Sequence, residues 1–351
     1  MGGYEARMKA FVVTAAREGS VQDVPDPVAD ADQVVVDIHR AGVCGTDVEF
    51  WTGEMAYLHQ GHARYPMRLG HEWCGVVSAL GPGVDGTWLG RRVTGDTMIG
   101  CGHCSRCRSG HHNVCEDRVE IGIRNGFPGA LAERLAVPAS TLLALPDSVD
   151  DAAGAMVEPG GNALRAVQAA ALSAGDRVLM LGTGTMGLLA AEFARADGAE
   201  VHLMGRSAAS LVFPRTLGFV DVWECSDLPK LAWDAVIDAS TAAELPALAL
   251  DLVEPGKRVV YIGLSGTPSL IDTRAVVLKD VTAIGILAAS QGLAGTIERY
   301  AAGYVDPRPL IAATVALDRT GDVLSGWRPP GAAHGPKLHI DPRLSLNGGT
   351  T

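Results

Sequence analysis

The chain reads as an α/β protein in two parts, an irregular β-rich region followed by a doubly wound parallel sheet, and three observations carry that reading. Residues 8 to 150 alternate or run apolar over four to eight residues between Gly and Pro, which is strand texture. From residue 160 apolar runs alternate with Ala/Leu-rich helical stretches, as parallel strands joined by right-handed crossovers do. A G-x-G-x-x-G run stands where the first such strand meets its helix.

Taken in order, MKAFVV, QVVVDIHRAGV, GHEWCGVVSAL, GRRVTGD and LAERLAVP are the strands expected of the first part. RVLMLG, AEVHLMG, DAVIDAS and RVVYIGL are those of the second, with GLLAAEFARADG, SLVFPRTLG and ELPALALDLVEPG as the intervening helices. After about residue 295 the pattern turns short and Pro/Gly-rich, ending in GPKLHIDPR, a segment able to rejoin the first part. The expected divisions are 1–157, 158–295 and a return segment 296–351, with a cysteine lobe at 96–118. The polar tail SLNGGTT is expected to fray.

At 351 residues the chain is long enough for two cores, and abundant Gly with few aromatics suits tight turns and small-residue helix packing. A net charge of -11 with no Lys/Arg run argues against nucleic acid, because phosphate binding needs a basic patch. The opening MGGYEARMKAFVV lacks a signal-peptide pattern and no run has transmembrane length, so the expectation is a soluble, cytoplasmic protein without a membrane partner. Seven cysteines, four of them clustered, fit a reducing compartment better than a disulfide framework.

The clustered four are Cys101, Cys104, Cys107 and Cys115, spaced C-x2-C-x2-C-x7-C. Short loops let successive thiolates wrap one ion and the last closes a tetrahedron, so the pattern predicts a structural zinc with no open position. An iron-sulfur cluster is the rival, but the ferredoxin run ends on a shorter spacing followed by Pro, and Cys115 is followed by Glu116.

In LMLGTGTMGLL the turn is Gly182, Gly184 and Gly187, with Thr185 and Met186 opening the helix. The first Gly makes the turn, the second lets backbone approach a pyrophosphate, the third lets helix and strand pack closely, and the helix N-terminus attracts the phosphates. At the end of the next strand, where an acid would bind the ribose of NAD, stand Gly205, Arg206 and Ser207. A guanidinium and a hydroxyl suit a 2′-phosphate, so NADP is favoured over NAD; the alternative is a surface Arg206 stacking on adenine.

Two more islands hold metal-competent residues: AGVCGTDVEF, with Cys44, Thr46 and Asp47, and LGHEWCG, with His71 and Glu72. A GVCGTD island, then GHE, the four-cysteine lobe and G-x-G-x-x-G resembles, over nearly the whole chain, the zinc-containing medium-chain dehydrogenase/reductase family of alcohol dehydrogenases. The resemblance implies a GroES-like β-barrel catalytic domain interrupted by a Rossmann domain, with the active site in the cleft between them. It implies a second, catalytic zinc with Cys44 and His71 as its first ligands. For the third, alcohol dehydrogenase types place a Cys near the domain junction, whereas the sorbitol, threonine and polyol dehydrogenase branch places a Glu before Pro, as Glu158-Pro159 does here. Glu72 is implied either as a carboxylate orienting the ligands or as an alternate ligand, and Asp47 as a carboxylate beside the ligand His.

Such a site implies hydride transfer between nicotinamide and a secondary alcohol or ketone, zinc acting as Lewis acid and Thr46 touching both the substrate oxygen and the cofactor side of a proton relay. Relatives carry a His two residues after the Asp, where this chain has Glu49, and the relay departs from the pattern there. Lys337 falls where relatives place a basic residue that reaches the cofactor; as a residue on its own, it reads equally as a solvated lysine. The expected small-molecule substrate is a polyol, sugar, amino alcohol or cyclitol, with a biosynthetic NADPH-dependent reductase of ketones or aldehydes as the runner-up and a non-catalytic cofactor-binding scaffold as the third reading. His59, His62, Arg64 and Tyr65 either line the substrate cleft or form a polar surface loop. The resemblance also implies a homodimer or homotetramer, joined through the edge of the second sheet, where VVYIGL and VTAIGIL lie.

Overall fold

The computed structural model describes residues 6–345; the tail expected to fray therefore falls, from residue 346 on, outside the described residues. The chain divides into two compact units, one taking in Met1–Glu158, Ile311–Ala333 and Lys337–Thr351, the other Pro159–Leu310 with His334–Pro336.

The first unit is a GroES-like barrel built on a seven-stranded sheet. Its spatial order is Leu142–Ala144, Arg92–Gly95, Glu72–Leu80, Gln33–Val43, Lys337–Asp341 and Ile311–Ala316, with Arg134–Pro138 also paired to Gln33–Val43. Lys337–Asp341 runs antiparallel to Gln33–Val43 and parallel to Ile311–Ala316, so the returning segment becomes an interior strand of the first sheet. All five of its residues are buried, the charged ones included. A smaller sheet, Glu18–Pro25, Arg7–Ala15 and Met67–Arg68, packs with it around a core that includes Phe11, Phe50, Trp73 and Leu135.

The second unit is a Rossmann sheet of six parallel strands in the order Val222–Glu224, Glu200–Gly205, Arg177–Leu181, Trp233–Asp238, Val253–Tyr261 and Thr282–Gly285. Val178 to Leu181, on the strand flanked from both sides, are fully buried, which is why RVLML is continuously apolar rather than alternating. Because the chain turns to opposite sides of this strand, a crevice opens at its C-terminal end. There Gly182 takes φ +110°, a conformation that side-chain-bearing residues rarely adopt, and a Cβ on Gly187 would stand 2.1 Å from the Gly182 carbonyl oxygen. Both are forced to be Gly by the turn they make.

The expected return at residue 296 would divide the helix Leu293–Ala301, whereas the whole helix lies in the second unit. It buries Leu293, Thr296, Ile297 and Tyr300, and the Tyr300 ring stacks on Phe193 at 6.0 Å. The first unit resumes at Ile311, with the strand that needs Lys337–Asp341 beside it. Among the described residues no helix is long and apolar enough to cross a membrane.

Candidate active site and metal centres

The cysteine lobe is built almost entirely from local structure. Cys104 N-caps the short helix Ser105–Arg108, and its backbone N–H points at the Cys101 sulfur at 3.4 Å, as the Cys107 N–H does at Cys104. The four Sγ atoms lie within 4.8 Å of one another, with Cys101 to Cys107 at 3.9 Å and Cys104 to Cys115 at 3.8 Å. A tetrahedral zinc with sulfur ligands at about 2.3 Å requires sulfurs about 3.8 Å apart, so the residues fit the ion. Backbone N–H groups of His103 and Cys104 bring the Cys101 thiol down to about 6, while burial pushes Cys107 up to about 12. Four crowded sulfurs share negative charge poorly without a cation. Asp96 steadies the lobe from outside, one oxygen accepting from Met98 N and the other lying 2.7 Å from His112 Nε2.

The second centre is assembled from distant residues. Cys44 N-caps the helix Gly45–Thr52, and Asp47, at its third position, accepts a hydrogen bond on Oδ2 from the Cys44 N–H at 2.9 Å. The other Asp47 oxygen accepts from Gly70 N at 3.1 Å and lies 3.6 Å from Nδ1 of His71. One buried carboxylate thus ties together the two loops that carry Cys44 and His71. It also faces Nδ1 of the imidazole, leaving Nε2 for a metal. Burial pushes the His71 pKa down, but Asp47 and the Cys44 sulfur outweigh it, so the group is held well above its ordinary range. A buried imidazole between two anions is a place for a cation.

The donor atoms brought within 4.8 Å of one another are those of Cys44, His71 and Glu72. Thiol, imidazole and carboxylate form a donor set suited to zinc. The Glu72 carboxylate, however, is already engaged: Nζ of Lys337 donates to Oε1 and Oε2, both at 2.7 Å, and to the Val43 carbonyl at 3.1 Å. A Cβ on Gly42 would sit 2.2 Å from Glu72 Oε2, so glycine at 42 makes room for this pair. Lys337 is therefore no solvated lysine but is 3% exposed. Glu158, buried in the first turn of Val157–Ala170, is not part of the three-residue set. Thr46 is half-buried on the Cys44 helix; Glu49, one turn on, has its carboxyl raised by burial and by the nearby Glu54 charge.

Of the polar residues between 59 and 65, two are occupied by the fold: His59 bonds the Gly53 carbonyl and Tyr65 donates to that of Phe50. His62 lies 3.3 Å from Arg124, and Arg64 has no hydrogen-bond or ion-pair partner among the described residues. The resemblance implies Asp47 beside the ligand His but not its tie to Gly70, and nothing in the sequence beyond the apolar flanks of GPKLHI signals the buried Lys337–Glu72 pair.

In the second unit a cavity of about 470 Å³ opens at the C-terminal ends of Trp233–Asp238 and Val253–Tyr261, lined by Asp238, Ser240, Tyr261 and Gly263 among others. It adjoins the glycine turn, since a Cβ on Gly182 would meet the Ala239 carbonyl at 3.1 Å and Ser240 N at 3.4 Å. Gly184 N-caps the helix Thr185–Ala196, which carries Met186 in its first turn. Past the neighbouring strand, Gly205 is buried, Ser207 caps the next turn, and Arg206 is exposed with no ion-pair partner among the described residues.

Comparison with known proteins agrees with this architecture. The alcohol dehydrogenase GroES-like domain matches residues 30–147. An L-threonine 3-dehydrogenase of Idiomarina loihiensis is 33% identical over 80% of this chain and 84% of its own length. A sorbitol dehydrogenase of Halalkalibacterium halodurans is 31% identical over 79% of this chain and 83% of its own. The crystal structure of a zinc-binding dehydrogenase, described as putative, from Sinorhizobium meliloti bound to NADP superposes with a TM-score of 0.86 at 29% identity, covering 96% of this chain and all of that one. With its GroES-like unit, its Rossmann unit and these relatives, the chain belongs to the zinc-containing medium-chain dehydrogenase/reductase family and is an oxidoreductase of small-molecule alcohols.

Proposed function

We propose that the protein is a two-zinc, NADP-preferring dehydrogenase of secondary alcohols in the polyol, sugar, amino alcohol or cyclitol class, also able to reduce the matching ketones. The observation that carries the proposal is the meeting of Cys44 and His71 donors around one buried carboxylate, Asp47. When bound, zinc supplies Lewis acidity toward the substrate oxygen and the nicotinamide supplies the hydride acceptor.

The chain's own residues do the rest. Cys44 and His71 hold the metal, and Glu158 is the third ligand we favour, because Glu72 could enter only by giving up the Lys337 ammonium, which would strand a buried charge. Thr46 would accept the proton of the substrate hydroxyl while passing its own toward the nicotinamide ribose. Gly182, Gly184 and Gly187, with Thr185 and Met186, receive the pyrophosphate at the helix N-terminus. Arg206 and Ser207 receive the 2′-phosphate, which an unpaired guanidinium suits.

Zinc content and a steady-state scan of polyols, sugars, amino alcohols and ketones with NAD and NADP test the reading. Two zincs per chain with NADP-linked turnover support it; one zinc and silence across the panel favour a cofactor-binding scaffold. Loss of the zinc of the Cys44–His71 centre in Glu72→Gln but not in Glu158→Gln would move the third ligand to Glu72. We further propose a homo-oligomer formed through the edge strand Thr282–Gly285, near which Val277 and Leu278 are about four-fifths exposed. Light scattering of the purified protein reads this directly, a monomer mass being the adverse result.

A further inference from the structure

The small three-stranded sheet carries a second cavity, of about 380 Å³, lined by Thr14, Gln22, Arg64, Arg68, Ile123 and Phe127 among other residues. It lies wholly within the first unit. Arg68 pairs with Val12 in the sheet, which puts its side chain on the same face as Val12, while the exposed Arg64 lines the cavity from the preceding loop. The lining is otherwise apolar or uncharged, with Val12, Pro66 and Pro128, and it contains no Asp or Glu.

That charge pattern is at odds with the rest of the molecule. The chain carries a net charge of -11, and half-buried arginines elsewhere have partners, either a carboxylate, as Arg118 has Glu120, Arg92 Asp151 and Arg40 Asp341, or a backbone carbonyl, as Arg258 has that of Ala169. Arg64 and Arg68 have no hydrogen-bond, ion-pair or ring partner for their guanidiniums among the described residues. Partial burial of Arg68 disfavours its charge, with no carboxylate to compensate. Arg68 is half-buried and Arg64 exposed, and a guanidinium partly withdrawn from water without an anion, as that of Arg68 is, costs stability. An occupant that brings negative oxygens removes that cost, and the planar fork of Arg matches carboxylate or phosphate.

We propose that this cavity is a binding site for a small organic oxyanion, a carboxylate or phosphate monoester on an apolar body, separate from the Cys44–His71 centre. Arg68 is the principal anchor and Arg64 the second. Phe127, Ile123 and the two prolines take the apolar body, and the volume suits a compact organic molecule rather than a bare inorganic ion. Strand Met67–Arg68 leads through Leu69 and Gly70 into His71, with Gly70 N held by Asp47, so the site adjoins the backbone that positions a proposed metal ligand.

The test is calorimetric titration of the zinc-loaded full-length protein with phenyl phosphate and with benzoate, beside inorganic phosphate and uncharged benzyl alcohol. One or both aromatic anions bind at millimolar concentration or below, more tightly than inorganic phosphate; which of them binds better tells phosphate from carboxylate. Arg68→Met weakens that binding about tenfold or more, and Arg68→Lys, which keeps charge but loses the fork, by less. Cys44→Ser leaves it within a few-fold of wild type, because the anion is not on the metal. Equal affinity in wild type and both Arg68 variants, loss of binding in Cys44→Ser alone, or no binding of either aromatic anion would overturn the proposal. The melting temperature supplies a separate readout: removing an unmatched charge in Arg68→Met keeps or raises it, whereas a marked drop would make Arg68 structural and sink the assignment.

Discussion

The two metal-competent clusters differ in how far the chain travels to make them. The cysteine lobe gathers four like ligands from the fifteen residues 101–115, oriented by a single helical turn and its backbone N–H groups. The second centre draws Cys44 from a helix cap, His71 from a loop, and Glu72 from a strand whose charge is balanced by Lys337, 265 positions away. A ligand set made by local geometry is complete as soon as its loop forms. One made by tertiary register can mix ligand types, leave a position open and place charges behind the metal, as a reactive site requires.

The largest expected effect separates the two clusters. Cys44→Ser lowers turnover about a thousandfold or more, several kcal/mol of transition-state stabilisation at about 1.4 kcal/mol per decade, while the melting temperature stays near wild type. Cys107→Ser does the reverse, costing one zinc and melting temperature while the folded fraction keeps its kcat within a few-fold. Metal analysis, kinetics and thermal melts on the same preparations read both; equal kinetic damage from the two changes would erase the distinction.

Next in size, Lys337→Met leaves Glu72 as a buried carboxylate without its partner and costs about 3–5 kcal/mol of stability by urea unfolding. The double variant Lys337→Met/Glu72→Gln recovers much of that loss. If the single change costs no more than the double, the pair does not carry the balance described for this centre.

Asp47→Asn weakens the tie between the two ligand loops, and zinc affinity at the Cys44 centre falls about 10–100-fold with the lobe zinc untouched. Competition with a chromophoric chelator resolves the two ions, and a shift confined to the lobe zinc would contradict the geometry.

The smallest effect is in pH. Burial lowers the Lys337 pKa, and Glu72, with the Cys44 sulfur and Asp47, more than restores it, so the folded value lies above the ordinary 10.5. A raised lysine stabilises fully below its unfolded pKa, and that contribution disappears as pH rises through the folded one. The stability gap between wild type and the double variant therefore stays constant through neutral pH and narrows only above about 10.5. Narrowing near pH 7 would mean that another group is titrating.

The same division of local from distant explains what could be read in advance. The β-rich and strand–helix textures, the turn at Gly182 and Gly187 and the lobe spacing are local patterns, legible because their physical causes span a few residues. The place of the helix Leu293–Ala301 is not set locally, since what ties it to the second unit is the stacking of Tyr300 on Phe193, 107 positions earlier in the chain.

By itself the sequence determined the fold class, the four-sulfur cluster and the dinucleotide turn, because short spacings and φ constraints leave few alternatives. Only the tertiary structure decided that Lys337 is buried on Glu72, that Asp47 holds both ligand loops, and that Arg64 and Arg68 share a cavity without an acid. Strand register decides these things: His339 stands opposite Gly42, and Gly42 opposite Glu72, across three strands that no local pattern could have aligned. Within that row Lys337, two residues before His339, meets the Glu72 carboxylate.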